Sequence, residues 1–442
     1  MSPNNALLKS PGRLLIGSLL ILIAVGAVLL SLPICQRYPI SFLDALFTAT
    51  SATCVTGLLT VPIDAFNWYG HAIILCLIQI GGLGLVTLTI FFMSFFVEMG
   101  LGTQIIAGRL LEIESWSNSR RIIAFIMLLT FGCEAIGTGI LYFLLPHQLP
   151  HRFFFALFHS VSAFCSAGIS LLPESLLYLN EYSSILVLFM VLMFMGGIGF
   201  FTLFDLFAAA KAWWLGKHPH ISLHTKIVLS MSFALIMLTA ATVFLLEFNQ
   251  GFANLSWKDT IINSLFSAIS WRSAGFATLD ITSLHLATFL IIMIISFIGS
   301  APGSTGSGIR TTTFSLSLAA IRSVLSGRTE VDIKKRRIPN DQVFKALAIL
   351  SLSLGWVALT TFLLLVTQES WRFVDIMLEA FSAFANLGLS SGVTPYLTPL
   401  GKWIIMISMI FGRVGLLTIL LALKKRQEKT EFHYPEERVM LS

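Results

Sequence analysis

Four glycines, Gly57, Gly168, Gly275 and Gly388, each close a short polar-containing segment that interrupts an apolar chain, at separations of 111, 107 and 113 residues. A second landmark follows each of them inside the next apolar run: Gly81, Gly196, Gly299 and Gly412, at offsets of 24, 28, 24 and 24 residues. A lone glycine turn supports little more than a loop assignment. Fourfold recurrence in register points to one structural unit written four times.

The surrounding composition says where that unit sits. Hydrophobic residues make up 56% of the 442 and charged residues 11%, against about a quarter charged in soluble domains. A hydrocarbon layer about 30 Å thick takes roughly 20 apolar residues per helix. Eight runs qualify: 14–34, 69–96, 120–145, 182–208, 225–247, 284–321 (interrupted), 343–367 and 402–423. Four further segments, 41–53, 152–164, 259–271 and 373–385, are too short to cross and read as re-entrant helices. The expectation is an all-alpha membrane protein with four repeated helix–pore loop–helix modules around a central pore, eight spanning helices and four re-entrant pore helices. The modules are assigned to 1–97, 98–210, 211–325 (with a broken second span) and 326–423, followed by a cytoplasmic tail at 424–442. Lys9 and Arg13 precede a first run too long for a usual signal sequence, so it reads as a span.

The net charge of +6 could suggest nucleic acid, but its distribution argues otherwise. Twenty of the 28 basic residues fall in the connectors between repeats and at the termini, whereas the faces carrying the re-entrant segments hold six. This bias places both termini in the cytoplasm and the re-entrant segments outside. The five cysteines have no metal-ligand spacing and read as small core residues.

The turns read Thr53-Cys54-Val55-Thr56-Gly57, Phe164-Cys165-Ser166-Ala167-Gly168, Trp271-Arg272-Ser273-Ala274-Gly275 and Ala385-Asn386-Leu387-Gly388. Irregular backbone at membrane depth is tolerated only where protein buries it or a water-filled cavity satisfies it. Four such stretches around one axis would present carbonyls to an ion stripped of water, with Thr56, Gly57, Ala167, Gly168, Ala274, Gly275, Leu387 and Gly388 as the candidate lining. Short helices ending at the turns would direct partial negative charge at the axis, which suits a cation. Arg272 is the awkward charge: it either points away and pairs beside the turns or meets the ion directly.

The sixth run breaks at Gly299-Ser300-Ala301-Pro302-Gly303-Ser304-Thr305-Gly306-Ser307-Gly308, a composition that cannot sustain a helix. Its functional reading is a gate below the third turn, with Gly299, Gly303, Gly306 and Gly308 as its flexible points; its bland reading is a passive kink. The other second spans hold only glycine pairs or triplets and are expected to run on. Arg310 is placed to hold the loop through its carbonyls. Arg413 is read as an electrostatic brake on the ion path, as a partner of the broken-span loop, or as both. The lysine of a nucleotide-binding loop is absent. Glu98, Glu112 and Glu114 read as a solvated face, Glu134 and Asp205 as pairs within the bundle, and His159 as a packed hydrogen-bonding group.

Several segments together resemble the Trk/Ktr/HKT superfamily of potassium transporters, especially its Ktr-type potassium-translocating subunits. They are Thr56-Gly57-Leu58, Gln79-Ile80-Gly81-Gly82-Leu83-Gly84, Ser162-Ala163-Phe164, Arg272-Ser273-Ala274-Gly275-Phe276, Pro302-Gly303-Ser304-Thr305-Gly306, Asn386-Leu387-Gly388-Leu389-Ser390 and Tyr434-Pro435-Glu436-Glu437-Arg438. The resemblance implies potassium uptake across a bacterial cell (inner) membrane, with potassium bound at Gly57, Gly168, Gly275 and Gly388, and a gating loop over 299–308 with Arg413 beside it. It also implies a homodimer in membrane lipid, sodium as an activator, and a separate cytosolic nucleotide-binding regulatory ring, since eight spans leave no room for such a domain here. No nucleotide bound by this chain and no nucleic acid partner are expected. Two departures stand out: Ser307 and Arg310 where the family loop often has glycine and lysine, and Cys165-Ser166 where an asparagine pair is common. The chief alternative is a cation-coupled secondary transporter for another solute, with the broken span as its binding site. An intramembrane enzyme would need a nucleophile–base pair or metal-ligand set that the sequence does not offer.

Overall fold

In the computed structural model, residues 11–83, 119–146, 151–172, 175–253, 255–328 and 330–423 are described. Each occurrence of the glycine pattern belongs to a run of helices. The first run holds α1 (Pro11–Leu30), the short α2 (Phe42–Cys54) and α3 (Trp68–Gly82); the second holds α4 (Ser119–Leu144), the short α5 (Arg152–Phe164), α6 (Ser183–Gly197) and α7 (Phe200–Trp214). The third comprises α8 (Leu223–Glu247), the short α9 (Trp257–Ser270), α10 (Leu286–Ile298) and α11 (Thr311–Leu325). A hairpin of β1 (Val331–Ile333) and β2 (Arg336–Ile338) leads to α12 (Asn340–Thr367), the short α13 (Phe373–Ala385), α14 (Pro399–Val414) and α15 (Leu416–Leu423). The end of the 69–96 run, Gly84, Glu98, Glu112, Glu114 and the tail 424–442 lie outside the described residues.

The short helices have 13 or 14 residues, roughly 20 Å of rise. Three start on an aspartate three residues past the cap. Ser41 accepts from the Asp44 N–H at 3.2 Å and donates to its Oδ2 at 2.6 Å, and Ser256 and Asp259 reproduce both contacts. Arg372 instead donates to Asp375 at 2.8 Å. A negative charge in the first turn complements the positive end of the helix dipole.

Each short helix packs on the first helix of its own run and on the second helix of the run before. Thus α5 meets α4 and α3, α9 meets α8 and α6, α13 meets α12 and α10, and α2 meets α1 and α14. The contact of α2 with α14 joins the ends of the chain and closes the cycle. Four apolar clusters fill the wedges, centred on residues such as Phe158, Ile376, Phe189 and Trp271. The outside is equally apolar: Leu128, Phe143 and Leu245 are 77%, 81% and 75% exposed on α4 and α8. Helices hydrophobic on all sides suit a bilayer.

Among the described residues, α8, α12 and Ile122–Leu144 of α4 are each long and apolar enough to cross a membrane. The expected single span 182–208 is not straight, because α6 and α7 meet at 98°. Gly199 makes the corner at φ +94, and Gly415 divides α14 from α15 at φ +89. Breaking the second helix is therefore not confined to the third run, contrary to the sequence expectation; what sets that run apart from the second and fourth is the twelve-residue loop, 299–310, at its break. The hairpin is a second departure from an all-helical reading. Lys334 and Lys335 both take positive φ (49 and 65), the two-residue turn geometry that matches strand twist, while Val331 and Ile338 pair and bury themselves with Ala320 and Val343.

Candidate functional site

The four turn glycines meet. A Cβ added to Gly57 would stand 2.5 Å from the Ala167 carbonyl oxygen; one added to Gly168 would strike that of Ala274, one on Gly275 that of Leu387, and one on Gly388 that of Thr56. Each glycine thus faces the carbonyl just before the glycine of the next run, and the fourth faces the first. All four have positive φ, between 66 and 98, so both conformation and space require glycine.

Hydrogen bonds lock the ring onto the short helices. The backbone N–H groups of Thr56, Ala167 and Leu387 donate to the carbonyls of Ser51, Ser162 and Ser382 at 2.8, 2.8 and 2.9 Å, and Ala274 donates to Ser270 at 2.8 Å. The same serines also act through their hydroxyls. Ser51 and Ser382 accept from the Gly57 and Gly388 N–H groups, each at 3.0 Å, whereas Ser162 and Ser270 donate to the Ile169 and Phe276 carbonyls at 2.7 and 2.6 Å. Sequence reasoning assigned these serines no role in the ring. The signal available was a serine five or six positions before every turn glycine.

The segments that follow the glycines line one cavity of about 660 Å³, into which all four glycines open. Its charged lining residues are Asp64 and Asp280, neither singled out from the sequence because each lies in an ordinary loop. Arg272 does not line it. Its guanidinium is buried and donates to the Gly299 carbonyl at 3.4 Å and to Ser232 Oγ at 3.3 Å.

On the side of the residues that precede the glycines lies the 299–310 loop. Ala301 N–H donates to Gly197 O and Thr305 N–H to Gly196 O, both at 3.1 Å, and Phe200 N–H returns a bond to Gly303 O at 2.9 Å. The α6–α7 corner therefore receives the loop. Thr305 Oγ1 reaches the Phe164 carbonyl at 3.1 Å and Ser166 Oγ at 3.2 Å, and Ser307 Oγ lies 3.1 Å from Asn386 Nδ2. Asn386 also donates to Cys54 O at 3.1 Å, so the loop touches the turns of the second and fourth runs directly and that of the first through Asn386.

Arg310 Nη1 donates to the carbonyls of Gly306 at 2.6 Å and Ala301 at 3.3 Å. Arg413 donates to the carbonyls of Thr305 and Gly81, with Ser307 Oγ at 3.3 Å. The second set of landmark glycines has a common cause: a Cβ at Gly81, Gly196 or Gly412 would strike the carbonyl of Thr53, Phe164 or Phe384. These lie at equivalent places near the ends of α2, α5 and α13. Gly299 instead turns at φ +60 and opens the loop. The carboxyl of Glu134 accepts from Gln79 Nε2 at 3.0 Å, and that of Asp205 from Ser222 N–H and Oγ, both at 2.9 Å.

An apolar bundle closed around a ring of backbone carbonyls defines a helical membrane protein rather than a soluble one. The chain belongs to the TrkH family of cation transport proteins, whose model matches residues 21–433; these are ion transporters and not enzymes. It is 36% identical to Ktr system potassium uptake protein B of Bacillus subtilis (strain 168), over 97% of this chain and 96% of that protein. It is 34% identical to Ktr system potassium uptake protein B of Vibrio alginolyticus, over 97% and 94%. It is 32% identical to potassium/sodium uptake protein NtpJ of Enterococcus hirae, over 98% and 97%. The crystal structure of the potassium transporter TrkH from Vibrio parahaemolyticus shares the fold, with a TM-score of 0.70 at 20% identity over 92% of this chain and 83% of that one.

Proposed function

We propose that this chain is the potassium-translocating subunit of an uptake system, and that the carbonyls around Gly57, Gly168, Gly275 and Gly388 are its selectivity filter. The observation that carries the reading is the closed ring, in which every glycine faces a carbonyl of the next run. Carbonyl rings replace the hydration shell of a dehydrating cation, and the acidic cavity above them would concentrate cations at their mouth. The names of the Bacillus and Vibrio relatives support potassium as the ion, and that of the Enterococcus relative admits sodium beside it.

In this reading the four modules are 1–97, 98–210, 211–325 and 326–423, with eight spans in a bacterial inner membrane and both termini cytoplasmic. The 299–308 loop, held by Arg310 and Arg413, is the gate. Two copies form a homodimer in lipid, each with its own pore. A cytosolic nucleotide-binding ring regulates them, docking on the basic stretch 328–337 and the tail 424–442, and sodium stimulates uptake.

The test is rubidium uptake into proteoliposomes with potassium or sodium as competitor, comparing the wild type with Gly275→Ser. The serine Cβ would collide with the Leu387 carbonyl. The expected result is potassium-selective uptake in the wild type and a loss of discrimination of roughly tenfold in the variant, equivalent to about 1.4 kcal/mol. Absence of uptake both with and without an added regulatory ring would favour a secondary transporter of another solute.

A further inference from the structure

Two of the four walls behind the ring carry a titratable side chain where the other two do not. Nine positions before the turn glycines stand Thr48, His159, Phe266 and Glu379; two positions after them stand Leu59, Ser170, Ala277 and Ser390. Only in the second and fourth runs does the earlier side chain bond the later one. Because the ring closes in the order one, two, three, four, these two walls face each other diagonally.

In the fourth run Glu379 is wholly buried, at 0% exposure. Its Oε1 accepts from the Ser390 hydroxyl and its Oε2 from the Thr394 hydroxyl at 2.8 Å. Ser390 Oγ in turn accepts from the Gly392 N–H at 3.0 Å. In the second run His159 is equally buried, with Nδ1 2.9 Å from the Phe155 carbonyl and Nε2 3.0 Å from Ser170 Oγ and 3.3 Å from the Leu171 nitrogen. A carbonyl requires a donor, so the proton sits on Nδ1 and Nε2 accepts. Ser170 and Ser390 both line the cavity above the ring.

We propose that Glu379 and His159 are positioning residues for the outer mouth of the filter, which hold its two diagonal walls through Ser390 and Ser170 and thereby set how sharply it separates potassium from sodium. The proposal rests on the pore reading above. Only one residue separates each serine from its turn glycine, so anchoring the serine limits the movement of the carbonyls between them, and selectivity depends on where such carbonyls stand. The remaining walls are held differently. In the first run Thr60 Oγ1 donates to Asp44 at 2.7 Å, and in the third the buried Thr278 Oγ1 has no partner.

The test uses the full chain in proteoliposomes, with Glu379→Ala, Glu379→Gln and Ser390→Ala read for potassium against sodium competition and for maximal rubidium uptake. The alanine variants should narrow the potassium-to-sodium ratio by roughly 2- to 10-fold, the range set by one or two hydrogen bonds, with a smaller change in maximal uptake. Glu379→Gln keeps the length and an acceptor, and should restore most of the ratio. If Glu379→Ala fails to fold, Ser390→Ala decides, since it removes one oxygen at the cavity edge. Wild-type selectivity in folded alanine variants would overturn the proposal, as would a loss of uptake equal for both ions. A wild type that takes up rubidium without selectivity would instead defeat the pore reading, and this inference with it.

Discussion

Arg413 bonds two carbonyls that belong to distant parts of the chain, Thr305 in the loop and Gly81 at the end of α3. A buried carbonyl left without a donor costs about 1–3 kcal/mol. Removing this guanidinium should therefore loosen the loop from α3 before it disturbs the bundle. Arg413→Gln should raise rubidium uptake per unit of protein by about tenfold or more, the effect of losing one charge-assisted bond; reduced uptake in well-folded protein would argue against the loop as the barrier. The arginine was recognisable in the sequence because a charge inside an apolar run demands a partner. Its partners were not, since backbone carbonyls carry no residue label. Arg272 makes the same point: sequence left it facing either the ion or the bundle, and its bonds to Gly299 and Ser232 direct it to the bundle.

The short helix α2 is fastened to α14 by an ion pair between Asp44 and Lys402, 14–15% exposed. Burial by itself would raise the Asp44 pKa, but hydrogen bonds from Lys402, Ser41 and Thr60 and the lysine charge outweigh it and hold the carboxyl below its usual range. With the folded value below the unfolded one of about 3.9, the ionised carboxylate stabilises the fold fully above that pH, and this is lost as pH falls through the folded value. Asp44→Asn should cost about 1–3 kcal/mol at neutral pH, between the worth of surface and buried pairs. Thermal unfolding in detergent should show the gap to wild type closing below about pH 4; a gap unchanged by acid would mean that the pair contributes nothing. In the loop, a side chain at Gly306 would meet Ser300 and Ser273, so Gly306→Val should change uptake while leaving the elution profile on size exclusion unaltered. The loop's glycines were plain in the sequence. The corner at Gly199 was not, because a glycine triplet inside an apolar run is compatible with a continuing helix until the 299–310 loop is seen packed against it.

At the level of the whole molecule, basic residues crowd the connectors between runs, and the cavity above the ring holds Asp64 and Asp280. In a cysteine-free background in intact cells, an impermeant thiol reagent should label Thr282→Cys at the cavity but not Lys335→Cys in the hairpin turn. The reverse pattern would invert the topology and put the cavity on the cytoplasmic side.

The sequence alone determined the helical membrane character, the fourfold period, the turn glycines and the unusual loop. Composition, spacing and the backbone demands of glycine act locally and are written in residue types. Only the tertiary structure decided that the four turns close into one ring, that serines brace it from behind, and that the second helices break at Gly199 and Gly415. The ring and the Gly199 corner depend on which backbone carbonyl meets which neighbour across more than a hundred residues, and the peptide carbonyl is the same in every residue.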